Sequence, residues 1–227
     1  MNEFLFIITI LLTLLTIICL VKLYNKQGLT YALIVLDIIS FILSFKIIEI
    51  FKLNINLGIV PYIGALSIIY IYLIKYGLKD VRKNEMLCLC ANIAVALLLV
   101  IMNYMIPTIT ETVSINIQGT FEYNYKILVL FPIMTFLSQY TIIKLYNFVS
   151  QIQSNIPICI ILTYIITALI YIIIFYLLCY INILSINDSL YIGLSTYIVG
   201  LIVTIINAIF INIIVKSKKV LKWLIFY

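Results

Sequence analysis

Residues 4–21 read Phe-Leu-Phe-Ile-Ile-Thr-Ile-Leu-Leu-Thr-Leu-Leu-Thr-Ile-Ile-Cys-Leu-Val, a run without a single charge. At 1.5 Å of rise per residue, about 20 apolar residues cover the hydrocarbon core of a bilayer, so the run is long enough to cross a membrane as a helix. Met1-Asn2-Glu3 supplies no positive leader region, and Leu20-Val21-Lys22 supplies no small-residue cleavage site, so the segment is expected to stay in the mature protein. Working outward, the apolar windows and their breaks predict six more spans, near 30–51, 57–74, 86–106, 127–149, 157–181 and 190–215.

These spans take up about two thirds of the 227 residues, of which 66% are apolar and 10% charged, with a mean hydropathy of +1.27. Soluble domains carry about a quarter charged residues. The expected fold is therefore all-α, a polytopic bundle of about six or seven transmembrane helices. It forms one domain over 1–215, followed by a basic and aromatic tail over 216–227. The chain has no histidine and one tryptophan. Without the usual general base and the commonest nitrogen ligand, an enzyme is not expected, and no cofactor or metal is implied. Five cysteines fall inside apolar runs and read as small hydrophobes. Cys88 and Cys90 diverge by about 200° around a helix, which is no metal pair.

Charge placement predicts orientation. Lys22 and Lys26, then Lys75, Lys79, Arg82 and Lys83, then Lys216, Lys218, Lys219 and Lys222 all fall on one side of a seven-span chain. The other side holds Lys52 and Lys126 beside Glu3, Glu111, Glu122 and Asp188. The positive-inside rule then puts the N-terminus outside and the C-terminus in the cytoplasm. It also accounts for the net charge of +6 through topology and anionic lipid, so nucleic acid is not an expected partner. The bilayer is the expected environment, and a homo-oligomer is compatible with the composition. The longest connection, 107–126, reads as an exposed loop or short lid.

Charges at membrane depth are costly, by about 2.5–3.5 kcal/mol each on insertion scales, and they are scarce here. The second predicted span carries Asp37, Lys46 and Glu49. Lys46 and Glu49 are three apart and would share a helix face, so they are expected to pair, as a structural couple or as a substrate contact. Ser138 and Gln139, after the Phe131-Pro132 break, offer neutral hydrogen bonds across helices or to a ligand, as do Thr167, Tyr171, Thr204 and Asn207. Gly58, Pro61 and Gly64 mark irregular backbone at the start of the third span, which membrane proteins place only against protein or a cavity.

Read in order, Met1-Asn2-Glu3, Lys46-Ile47-Ile48-Glu49-Ile50-Phe51, Leu57-Gly58 with Tyr62, the loop Lys75-Tyr76-Gly77-Leu78-Lys79-Asp80-Val81-Arg82-Lys83, Phe131-Pro132, Ser138-Gln139 and Thr196-Tyr197 form a pattern. Together they resemble the queuosine precursor transporter family, also grouped as vitamin uptake transporters, over nearly the whole chain to about Lys216. The resemblance implies a small bacterial inner-membrane carrier that imports deazapurine precursors of a modified tRNA base. Family members place an aspartate and a glutamate just before the Tyr-Gly loop, where this chain has Tyr70 and Ile74. Their sixth span opens with an Arg-Asn-Asn cluster and has a later aspartate, against Cys159, Ile160, Ile161 and Tyr171 here. Their last span has a lysine and an aspartate, against Gly200 and Asn207.

The expected function is thus import of a deazapurine or similar flat heterocycle by alternating access, without an ATPase of its own, since no phosphate-binding glycine loop is present. The expected substrate-binding residues are Lys46, Glu49, Tyr70, Ser138, Gln139, Tyr171 and Asn207. Two alternatives remain at this point: a substrate-binding membrane subunit of an ATP-driven vitamin uptake complex, and a transport-inactive scaffold of the same fold.

Overall fold

The computed structural model describes the backbone of residues 2–104, 112–180 and 183–216, and side chains over the same ranges apart from 103–124. Six helices and one β-hairpin follow in the order α1 (Asn2–Leu43), β1 (Ile47–Ile50), β2 (Leu53–Asn56), α2 (Ile59–Lys75), α3 (Leu78–Tyr104), α4 (Thr112–Ile152), α5 (Ile156–Tyr180) and α6 (Ile186–Lys216). Among the described residues five of these helices are long and apolar enough to cross a membrane, and α2 is a shorter apolar helix. The protein is an all-α polytopic membrane bundle.

Helix α1 contains the first predicted span and the larger part of the second. A straight 42-residue helix would reach about 63 Å, twice the hydrocarbon thickness. It does not run straight, because Asn25 leaves the helical region with φ 51° and ψ −125°. Thr13 in the first arm and Leu36 in the second both face Gly64 of α2, so the arms lie side by side. At the far end the Asn2 amide donates to the Glu49 carbonyl at 2.9 Å. The Tyr-Asn-Lys-Gln-Gly segment at 24–28 is thus a reversal, made by an asparagine tolerant of positive φ and a glycine with room for a crossing backbone.

The second predicted span, 30–51, is corrected: its helix ends at Leu43, and 47–56 forms an antiparallel hairpin pairing Ile47 with Asn56 and Ile50 with Leu53. Phe51 and Lys52 make the two-residue turn, with φ of 49° and 64°, the positive pair that a tight hairpin demands. The local pattern explains it. Leu53-Asn54-Ile55-Asn56 alternates apolar and polar residues, and Ile47, Ile48 and Ile50 are β-branched. Two further expectations change. The start of the third span is regular helix rather than irregular backbone, with Pro61 in the first turn, where its missing N–H costs nothing. The connection expected over 107–126 is largely helical, since α4 begins at Thr112; residues 105–111, like 217–227 of the predicted tail, lie outside those described.

Helix α2 is the hub. Thirteen of its seventeen residues are buried, from Ile59 to Tyr72, as expected of a helix that is apolar all round and surrounded by others. It packs on α1, α3, α4 and α6, while α5 lies between α4 and α6. At one end Lys26 pairs with Asp80 at 2.7 Å, and Tyr72 donates to the Lys26 carbonyl at 2.8 Å, so the first and third basic loops meet. At the other end Tyr191 donates to the Lys52 carbonyl at 2.8 Å, so α6 starts beside the hairpin. From there α6 runs to Lys216, towards the end where the other two basic loops lie. Ser185 caps it: its hydroxyl accepts the Asp188 N–H at 3.1 Å and donates to the Asp188 carboxylate at 2.6 Å.

Candidate functional site, a neutral aromatic cavity

Where α1, the hairpin, α2, α4, α5 and α6 converge, the side chains leave a cavity with about 80 Å³ open to the centres of water-sized molecules. By that measure it has room for roughly five to eight waters, or for one small ring system. Its wall is mostly apolar and aromatic, with Phe131 from α4, Tyr171, Phe175 and Tyr176 from α5, and Tyr62 from α2. None of its lining residues carries a charge.

The polar atoms of the wall are ordered by the bundle itself. Ser138 donates to the Thr135 carbonyl at 2.9 Å, which uses its one proton. Tyr62, 2.5 Å from the Ser138 oxygen, is therefore the donor of that bond and keeps its own oxygen as an acceptor. The Tyr171 hydroxyl meets Thr141 at 2.8 Å. At the hairpin side, Asn56 is held by three bonds: its amide donates to the Ser44 carbonyl at 2.8 Å, its side-chain oxygen accepts the Gly58 N–H at 2.7 Å, and its backbone N–H donates to Thr196 at 3.1 Å. Ser40 donates to the Gly58 carbonyl at 2.8 Å. The glycine is required there: a Cβ at Gly58 would sit 2.5 Å from the Ser40 carbonyl and 2.9 Å from the Asn56 amide oxygen. The hairpin is thereby tied to the start of α2 and to α6, closing one end of the cavity.

Stacked rings stiffen the wall. Phe41 lies on Phe131 with centroids 4.8 Å apart, Phe131 meets Phe175 edge-on at 6.2 Å, and Tyr176 stacks on Tyr180 at 5.9 Å. Pro132 sits inside α4 beside this cluster, where it removes the helical hydrogen bond to the Leu128 carbonyl, and Thr135 donates back to the Phe131 carbonyl at 2.8 Å, so both loosen this part of the helix.

Of the seven residues singled out from the sequence, Ser138 and Tyr171 line the cavity. Gln139 is buried next to it and donates to Asp37 at 3.0 Å. Tyr70 is buried behind α2, bonded to Thr163 at 2.9 Å and packed on Tyr146. Asn207 is buried in α6, outside the cavity, and its side-chain oxygen has no partner among the described residues. Lys46 and Glu49 are corrected. They do not share a helix face, because three positions along extended chain point to opposite sides, and both are exposed at the hairpin end. Sequence reading missed Asn56 and Tyr176, and took Thr196 and Tyr62 only as parts of a resemblance. The Leu-Asn-Ile-Asn alternation was the available signal for Asn56.

Compared with protein-family models, curated proteins and solved structures, the chain matches none.

Proposed function

We propose that the chain is a carrier that imports a small, flat, uncharged heterocycle by alternating access, without an ATPase of its own. A deazapurine of the queuosine-precursor kind is the substrate class that the sequence resemblance implies. One observation carries the reading: a cavity inside a membrane bundle, walled by aromatic faces, carrying several hydroxyls and one amide, and free of lining charge. Aromatic walls stack on a flat ring, and a few placed hydroxyls fix its orientation, which is the usual chemistry of a small-molecule pocket. The same wall disfavours an ion, which would lose hydration with no countercharge to replace it. One of the substituted positions fits this chemistry: Tyr171 stands in the wall where members of the family that the sequence resembles place an acid. The purified protein in liposomes is expected to take up a labelled deazapurine saturably and in competition with unlabelled compound. Uptake no faster than in empty liposomes, from protein that stays folded and monodisperse, would count against a carrier.

The proposed setting is a bacterial inner membrane, with the hairpin end outside and the Lys26–Asp80 end in the cytoplasm. The meeting of two basic loops at the Lys26–Asp80 contact supports it. With the native cysteines replaced, Phe51→Cys should react with an impermeant thiol reagent in intact cells, and Lys79→Cys only after permeabilisation. The reverse pattern would invert the orientation.

A further inference from the structure

We infer that Asp37 is a proton-binding carboxylate coupled to the cavity, taking up and releasing a proton as the carrier changes state. Asp37 lies in the second arm of α1 and is 1% exposed. Its carboxylate accepts the Asn92 amide of α3 at 2.7 Å and the Gln139 amide of α4 at 3.0 Å. Both donors are neutral, and both residues are likewise 1% exposed. Among the described residues no cation pairs with Asp37. The titratable groups near it are Tyr62 of α2 and Cys88 of α3, with Glu85 about a turn beyond Cys88; on α4 the Lys144 ammonium lies 4.3 Å from the Tyr140 ring centre, and on β1 Glu49 is exposed.

Such a carboxylate at membrane depth has no purely structural economy. Two amide bonds offset part of the cost of its charge, and a serine or asparagine would serve the packing without that cost. The surroundings are instead fitted to both protonation states. In the ionised state the two amides donate to its two oxygens. In the protonated state the new O–H needs an acceptor, and among the described residues the buried side-chain oxygen of Asn92 has no hydrogen-bond partner. Rotating the Asn92 amide by half a turn would present that oxygen to the acid, so one side chain serves as donor to the base or acceptor from the acid. The proton comes from water: hydronium and the carboxylate give water and the carboxylic acid, and release reverses the step.

The link to the cavity is short. Gln139 adjoins Ser138, which holds the Tyr62 hydroxyl in the wall, and Ser40, one turn along α1 from Asp37, holds the Gly58 carbonyl. A bound proton that loosens the Gln139 bond acts on the helix that carries Ser138, and occupation of the cavity acts back on proton affinity, as linkage requires. A sodium ion fits less well, because both carboxylate oxygens face N–H donors where a cation needs oxygen ligands.

The coupling rests on the carrier reading, but proton binding itself does not. Infrared titration of the wild-type protein in lipid nanodiscs, without any ligand, is expected to show a protonated-carboxyl band that titrates reversibly while the protein stays folded. Asp37→Asn should remove that band. Asn92→Leu, which keeps the carboxyl and deletes the amide, should move the midpoint by about one pH unit or more, tenfold in proton affinity. A wild-type protein with no titrating carboxyl band, or a band and midpoint unchanged in both variants, would overturn the proposal. In liposomes, Asp37→Asn should keep deazapurine binding and lose the response of uptake to an imposed pH gradient; a gradient response equal to wild type would overturn the coupling. A titrating Asp37 in a protein that transports nothing would leave the proton site standing and remove the carrier.

Discussion

Replacing Gly28 with valine is expected to destabilise the protein by about 3 kcal/mol, the upper part of the range for overpacking, and to lower its melting temperature in detergent by roughly 6–12 °C. A Cβ at Gly28 would fall on the Leu20 carbonyl oxygen, 2.6 Å from the carbonyl carbon and 3.0 Å from the Val21 Cα. These are backbone atoms from the other arm of the α1 reversal, and no rotamer change relieves a clash with backbone. The two arms would have to part, and both pack on α2 through Gly64. Gly193 is the control. A Cβ there meets only ordinary contacts, the nearest with Tyr176 at 3.5 Å, so Gly193→Ala in the third turn of α6 should be neutral or slightly stabilising. Equal melting temperatures for Gly28→Val and wild type would mean that the close crossing of the arms is not a feature of the folded protein.

The second large effect concerns the cavity. Ala168 lies in its wall on α5 and is buried. Ala168→Phe is expected to weaken ligand binding about 100-fold or more, close to 2.7 kcal/mol, because a benzyl side chain occupies the space that a flat ring would take. The melting temperature should move by less than about 4 °C, since the new ring enters an existing void and meets the aromatic wall. Loss of binding with retained stability places the ligand in the cavity. Wild-type affinity in Ala168→Phe, measured by equilibrium dialysis, would move the ligand elsewhere.

Much of the fold was legible because transmembrane helices announce themselves by length and hydropathy alone. The run at 4–21 and the break at Asn25 and Gly28 suffice to place the reversal in α1. The hairpin was not legible in the same way: Ile47-Ile48-Glu49-Ile50 reads as a continuation of an apolar helix when windows are long, and only the period-two alternation after Phe51 signals strands. That one misreading placed Lys46 and Glu49 on a helix and made them a pair. The cavity was half legible. Ser138 and Tyr171 stand out as polar groups in apolar spans, but nothing local says that Tyr70 turns away from the cavity while Tyr62, two turns earlier, turns into it. Asp37 stood out as a buried charge, yet its partners Asn92 and Gln139 lie 55 and 102 positions along the chain, a separation no pattern reports.

The most direct test of the carrier reading is ligand-induced thermal stabilisation of the purified protein, run beside Ala168→Phe, against queuine, its deazapurine precursors, other vitamins and nucleobases. A flat heterocycle at about 100 times its wild-type Kd should stabilise the wild type by about 2.7 kcal/mol, a rise of roughly 5–10 °C, and raise Ala168→Phe by no more than about 2 °C. No shift with any compound of the panel, or an equal shift in both proteins, would contradict a heterocycle site in this cavity.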